Sequence, residues 1–325
     1  MPYGPLGPRS RFKLSEGGTL VYAPGDESYW RFRIVLVDRK GKAQPITDFD
    51  QPYSEPSFSP DGRHVALQIG GANDQVARYD MERATLTQLT FEWDSARPVW
   101  APDGKTLFIA STPGYNLFKV ASDGSGGRER ITTSERPQIT GTFSPDGRYF
   151  SYQEQTVNGD WDLWILPLDD ESEPWPLFQS PANEVTPRFS PDGRWMAYRS
   201  DESGTGEIYL QSFPEAQSKQ LISTDRGFRP VWARSGKELF YREPSGGFRS
   251  RMMVVEIRAG DPLLVSKPRM LFEDSFDTYG GGYDVAPDGQ QFVMVEVDEE
   301  ARRVTHFNVV LNWFEELNQL VPAQE

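Results

Sequence analysis

The chain is built from short apolar-alternating runs cut by one recurring polar turn. Phe189-Ser190-Pro191-Asp192-Gly193-Arg194 leads directly into Trp195-Met196-Ala197-Tyr198. Pro presets φ for the second position of a type I turn, Asp tolerates the bridge conformation after it, and Gly supplies the left-handed residue that follows. A strand therefore enters, reverses tightly and leaves, as in an antiparallel hairpin with a bulge. One such turn says little, because the tetrapeptide is common. Its recurrence decides the fold.

Copies begin at Pro56, Pro98, Gly141, Pro187, Pro230 and Tyr283, and the turn Asp, or Ser in one copy, falls at 61, 103, 146, 192, 235 and 288. A degenerate copy, Arg11 to Tyr22, precedes them. Each period adds a third strand (Arg33, Ala77, Leu117, Asp162, Glu207 and Arg251 open them) and a short fourth ending in Leu/Ile-Thr/Ser, as in Leu89-Thr90. Four strands in roughly 40–45 residues is the signature of a β-propeller blade, and a linear solenoid has a shorter repeat. The expected class is all-β, a β-propeller of four-stranded antiparallel blades. Seven inner strands predict seven blades. The last unit shows three strands, ending at His306–Leu311, so a six-bladed ring with an appendage is the alternative.

The expected organisation is a lead-in over 1–10, a propeller over 11–311, and a C-terminal helix and tail over 312–325. Trp313, Phe314, Leu317 and Leu320 share one helical stripe, with Asn312 as N-cap and Glu315 as its capping-box partner. A helix docked on the ring and a partner-binding helix are the two readings.

Composition narrows the function. A chain of 325 residues usually holds two domains, but radial repeats make one. The net charge of −14 disfavours nucleic acid and anionic membrane as partners and leaves room for a basic one. There is no Cys, hence no disulfide, thiolate nucleophile or Cys-based zinc site. Met1–Pro8 has no apolar stretch of signal-peptide type and no window approaches a membrane span, so a soluble, unexported chain without membrane insertion is expected. Oligomeric state is left open.

In a propeller the turns just described lie on one face, and the irregular B–C and D–A loops lie on the other. Aromatics alternate with charges in those loops, the composition of recognition surfaces held on a rigid scaffold. Trp30, Trp93, Trp161, Phe228 and Tyr279 are the candidate contacts there. Glu55, Arg97, Glu184 and Arg229 stand at the entries of inner strands, at the mouth of the central channel. Against these stand two plainer readings: aromatics wedged between blades, and ring charges that pair with each other.

Catalytic patterns are absent. There is no G-x-S-x-G, no phosphate-cradling or dinucleotide fingerprint and no twelve-residue calcium loop, and the two histidines, His64 and His306, belong to distant blades. No cofactor, metal or catalytic residue is expected.

The repeat F/W-S/A-P-D-G-R/K, followed by an I/L-Y/W strand and L-T, resembles the TolB-like propeller repeats, also called PD40 and related to WD40. The resemblance runs from about Arg11 to Leu311. Phe189–Pro214 and Val309–Pro322 are also similar to propeller regions fused to bacterial serine/threonine kinases or winged-helix proteins. The resemblance implies a sensor or protein-interaction module, periplasmic or extracellular if the chain is a fragment of a longer protein. It implies no catalytic residues, since no kinase, winged-helix or hydrolase motif accompanies it. Some related propellers precede a prolyl-oligopeptidase hydrolase, and oligogalacturonate lyase uses a His-rich metal site that two histidines cannot supply. The expected function is non-catalytic protein or peptide binding on the loop face and channel mouth. The alternatives are a carboxylate- or metal-dependent lyase or hydrolase at that mouth, and a structural extracytoplasmic domain of a longer receptor.

Overall fold

The computed structural model describes residues 12–15, 17–22, 32–48, 51–169, 172–246, 249–258, 260, 263–276, 282–297 and 307–320. The chain divides into two compact units, Met1–Arg31 with Asp298–Glu325, and Phe32–Val297. Strands β1 (Phe12–Leu14) and β2 (Leu20–Tyr22) belong to the smaller unit.

The larger unit opens with β3 (Phe32–Asp38) and β4 (Ala43–Pro45). Sheet I follows as β5 (Tyr53–Phe58), β6 (His64–Ile69), β7 (Gln75–Asp80) and β8 (Thr85–Gln88). Sheet II is β9 (Ser95–Trp100), β10 (Thr106–Ser111), β11 (Asn116–Ala121) and β12 (Glu129–Arg130). Sheet III is β13 (Gln138–Phe143), β14 (Tyr149–Gln155), β15 (Trp161–Pro167) and β16 (Trp175–Pro176). Sheet IV is β17 (Glu184–Phe189), β18 (Trp195–Ser200), β19 (Glu207–Ser212) and β20 (Lys219–Leu221). Sheet V is β21 (Phe228–Trp232), β22 (Glu238–Gly246) and β23 (Arg249–Arg258), the last paired with both β24 (Leu264–Val265) and β25 (Arg269–Asp274).

Sheet VI joins the two ends of the unit. β26 (Tyr283–Val285) and β27 (Gln291–Val297) come from its end, and β27 pairs along its whole length with β3, from Gln291 opposite Asp38 to Val297 opposite Phe32. Each sheet packs on the next, and VI packs on I, so the unit closes on itself as an all-β propeller. The expected count of seven took Phe12–Tyr22 as a further inner hairpin with Arg33–Asp38 as its third strand. Arg33–Asp38 instead completes the last repeat. Among the described residues of this unit there are six sheets.

The recurring turn sets the strand register. Gly62, Gly104, Gly147, Gly193, Gly236 and Gly289 all have φ between 67° and 74°, the left-handed conformation that makes Gly the residue of choice there. Where Ser precedes the turn, its Oγ donates to the turn Asp (Ser59 to Asp61, Ser144 to Asp146, Ser190 to Asp192, 2.6 Å each) and accepts a backbone N–H from the departing strand. Between sheets lies the core, including Ala66, Val76, Leu107 and Ile109 between I and II, and Val231, Phe240, Val35 and Phe292 between V and VI. Trp100 and Trp232 each reach the preceding sheet, donating from the indole to Ser57 O at 3.0 Å and Arg188 O at 3.2 Å. Each large side chain so buried contributes on the order of 1.5–3 kcal/mol.

The smaller unit pairs β2 with both β1 and β28 (Asn308–Val310), and α1 (Trp313–Leu320) follows. Asn312 sits at φ 57°, a left-handed position that Asn tolerates, and its carbonyl accepts the Glu315 N–H at 2.9 Å.

Candidate functional site: the channel mouth and loop face

Inner strands β5, β9, β17 and β21 all break register at the same place. The residue at the break is Glu55, Arg97, Thr186 or Arg229, with φ of 49°, 54°, 55° and 54°, and each precedes a Pro. These are β-bulges: one extra residue bends the strand and re-aims its side chain. Counting six residues back from each turn adds Thr140 and Gly282, the latter at φ 65°. Six equivalent positions thus ring the channel at its loop end. Non-Gly residues at positive φ cost energy and persist where the surroundings over-determine them.

Charges meet across this ring. Arg229 donates to Glu55 through both guanidinium nitrogens, Nη1 to Oε2 at 2.8 Å and Nη2 to Oε1 at 2.9 Å. Arg97 Nη2 lies 3.7 Å from Glu55 Oε1. A Cβ on Gly282 would stand 2.9 Å from Glu55 Oε2 and 3.0 Å from Arg229 Nη1, so the pair occupies the space that a side chain would take. Burial pushes the Glu55 carboxyl up, but Arg229 and Arg97 outweigh it and hold the group at about 2. Thr140 Oγ1 donates to Arg97 O at 2.7 Å, and the Arg97 and Thr186 N–H groups donate to Gln68 and Gln153 Oε1 at 3.3 and 3.0 Å.

Two residues further along each inner strand stand Ser57, Val99, Thr142, Arg188, Val231 and Asp284. Arg188 Nη1 donates to the carbonyls of Gly141 at 3.1 Å and Pro187 at 3.4 Å. Asp284 accepts N–H groups from Phe58 and Val285, both at 2.8 Å. Burial lowers Arg188 and raises Asp284, and each feels charges from other sheets across the channel.

Of the residues expected at the mouth, Glu55, Arg97 and Arg229 come together. Glu184 stands apart, two places before the bulge, as the first residue of β17 opposite Ser200. It is 2% exposed; its Oε1 accepts Ser180 Oγ at 2.5 Å and its Oε2 is buried without a partner among the described residues. Burial, with Asp162 and Glu202 against Ser180 and Lys219, raises this carboxyl to about 7. The same place holds neutral Tyr53, Ser95, Gln138 and Gly227 in other repeats. Trp161 is buried, its backbone N–H donating to Asn183 Oδ1 at 3.2 Å. Phe228 is half-buried at the start of β21. Trp30 and Tyr279 lie outside the described residues.

Trp93 is 45% exposed on the loop before β9, and Phe91 beside it is 69% exposed. The Arg128 guanidinium carbon lies 4.5 Å from the Trp93 ring and 4.4 Å from Phe118, sandwiched between them, while its Nη1 donates to Ser111 Oγ and Thr112 O at 2.6 Å. Sequence reasoning missed Arg128, Arg188 and Asp284. The last two were legible as the residues four before each turn. Among the described residues no group of three or more His, Cys, Asp or Glu is placed to hold a metal ion.

A family model of the TolB β-propeller domain matches residues 124–305, more than half of the sequence. This chain belongs to the TolB β-propeller domain family. Among individual relatives, the TolB homologue of Chlorobium chlorochromatii is 29% identical over 150 residues, which is 42% of this chain and 34% of that protein. The match therefore spans about a third of that relative's length. A protein assigned as TolB in Agrobacterium tumefaciens shares the fold of this TolB-type propeller with a TM-score of 0.68 at 19% identity, covering 82% of this chain and 98% of that one. An oligogalacturonate lyase in complex with manganese reaches 0.53 at 14% identity, covering 92% and 82%, and bears on fold alone.

Proposed function

We propose that this TolB-type propeller is a non-catalytic module that binds a protein or peptide on its loop face, over the mouth of the channel. The observation that carries this reading is the exposed Trp93–Arg128 stack with Phe91 beside it, on a loop at the same end of the strands as the ring of Glu55, Arg97 and Arg229. An aromatic ring already fixed by a cation offers contact area at low ordering cost, and such aromatic and Arg groups dominate interface energetics. Membership in the TolB family supports an interaction module.

The electrostatics argue in the same direction. A carboxyl held at about 2 is a poor general acid or base near neutrality, so Glu55 does not suit hydrolysis. Glu184 has a suitable value, about 7, yet it is buried and its free oxygen is sealed from any substrate. Affinity capture from native extract, comparing wild type with Phe91→Ala/Trp93→Ala, tests the assignment. The variant is expected to lose a partner that wild type retains while its thermal unfolding stays unchanged; equal capture by both would sink the surface assignment.

A further inference from the structure

We propose that Arg97 and Arg188 form a carboxylate-binding site inside the channel mouth, so that the partner docked on the loop face presents a carboxylate to it. This rests on the protein-binding reading and specifies the chemistry of the ligand.

The argument begins with unmatched donors. Three guanidinium groups, Arg97, Arg188 and Arg229, and two carboxylates, Glu55 and Asp284, stand on the inner strands at the bulge or two residues beyond it. Glu55 commits both oxygens to Arg229. Asp284 commits both to backbone N–H groups of Phe58 and Val285. Arg97 is left with one long contact of 3.7 Å and no hydrogen bond from its guanidinium, among the described residues. Arg188 donates through Nη1 to two backbone carbonyls, and no carboxylate lies within ion-pair distance of it among the described residues. A guanidinium carries five donors, so most of those on Arg97 and Arg188 have no protein acceptor among the described residues, and they are not sealed from solvent.

Charge points to the kind of acceptor. Three cations against two anions leave an excess of one in the channel of a protein whose net charge is −14. A monoanion neutralises that excess, whereas a phosphate dianion would overshoot it in a poorly solvated place where unpaired charge is costly. A carboxylate also matches the planar fork of Arg, which donates two parallel bonds to it. Thr140 Oγ1 donates to Arg97 O at 2.7 Å and Arg188 Nη1 donates to the adjacent Gly141 O at 3.1 Å, which brings both residues to the same stretch of β13. The acidic remainder of the surface would repel anions elsewhere, so the site selects for one carboxylate delivered by a docked chain.

The test titrates the full chain with sodium butyrate, with butyramide as the uncharged probe of equal shape, and with inorganic phosphate. Calorimetry gives affinity, and the arginine Nε–Hε NMR signals give the place. Butyrate is expected to bind saturably and shift Arg97 and Arg188, butyramide to be silent, and phosphate to bind more weakly. Arg97→Gln and Arg188→Gln should each weaken butyrate by about tenfold or more, as loss of a charge-assisted donor pair requires. The Arg97 variant reports on the site even if the Arg188 variant fails to fold. No saturable response, an equal response to butyramide, or unchanged affinity in Arg97→Gln would overturn the site. Phosphate binding tighter than butyrate would overturn the carboxylate class. Absent butyrate binding with partner capture intact removes this inference alone; butyrate binding with capture unchanged in the Phe91/Trp93 variant removes the docking surface alone.

Discussion

Arg229 holds Glu55 through both carboxylate oxygens, at 2.8 and 2.9 Å, from strands of two sheets that are not neighbours in the ring. Sheet VI lies between them, and its contribution at that level is Gly282. The pair thus ties sheets V and I across the end of sheet VI.

Gly282→Val is expected to disrupt this tie. Its Cβ would fall 2.9 Å from Glu55 Oε2, at a φ of 65° that a β-branched residue resists. Backbone strain and a displaced buried ion pair together predict a loss of roughly 3 kcal/mol or more, read by urea unfolding. Stability equal to wild type would show that the pair does not occupy that space.

Glu55 makes stability depend on acid. Its carboxyl sits at about 2 in the folded chain against an ordinary value of 4.5, so its contribution is complete above 4.5 and is lost as pH falls from 4.5 towards 2. Glu55→Gln should be less stable near neutrality by on the order of 3 kcal/mol, since it leaves Arg229 underpaired, and should lack that acid-dependent slope. A variant with the wild-type slope would contradict the assignment.

Glu184 acts in the opposite sense. Raised to about 7, it favours the protonated form, so its contribution is present below 4.5 and declines as pH rises through 7. Glu184→Gln should match wild type near pH 4.5, exceed it by a few kcal/mol above pH 7, and flatten the decline between. Urea unfolding across that range measures it.

The recurring turn is scaffold. Ser190→Ala removes a hydroxyl that donates to Asp192 at 2.6 Å and accepts the Trp195 N–H at 3.0 Å. A loss of about 1 kcal/mol is expected, with partner capture unaffected. Altered capture would mean that the turn face takes part in binding.

These residues also show how much was legible in the sequence. The turn and its period carried the all-β propeller, because Pro, Asp and Gly are dictated by local backbone geometry. Closure was not legible: Arg33–Asp38 follows the degenerate first copy in sequence, yet its partner strand lies more than 250 residues away, a choice made by tertiary packing. The charged ring was partly legible. Glu55, Arg97 and Arg229 precede Pro at the bulge, but Glu184 shares with them only an ionisable side chain, and the equivalent residue is Thr186. A bulge adds one residue, so period-two counting across it loses the facing of every position. Trp161 and Trp93 looked alike in sequence; one is buried and the other is exposed, a difference set by neighbours that arrive from elsewhere in the chain.

The central claim is that recognition occurs on the loop face, and site-specific photocrosslinking tests it most directly. A photoreactive side chain at Phe91, on that face, is compared with one at Asp103, in a turn on the opposite face, in the native host. The account predicts one discrete crosslinked protein from position 91, competed by excess unmodified chain, and none from position 103. The same product from position 103 alone, or none from position 91, would contradict it.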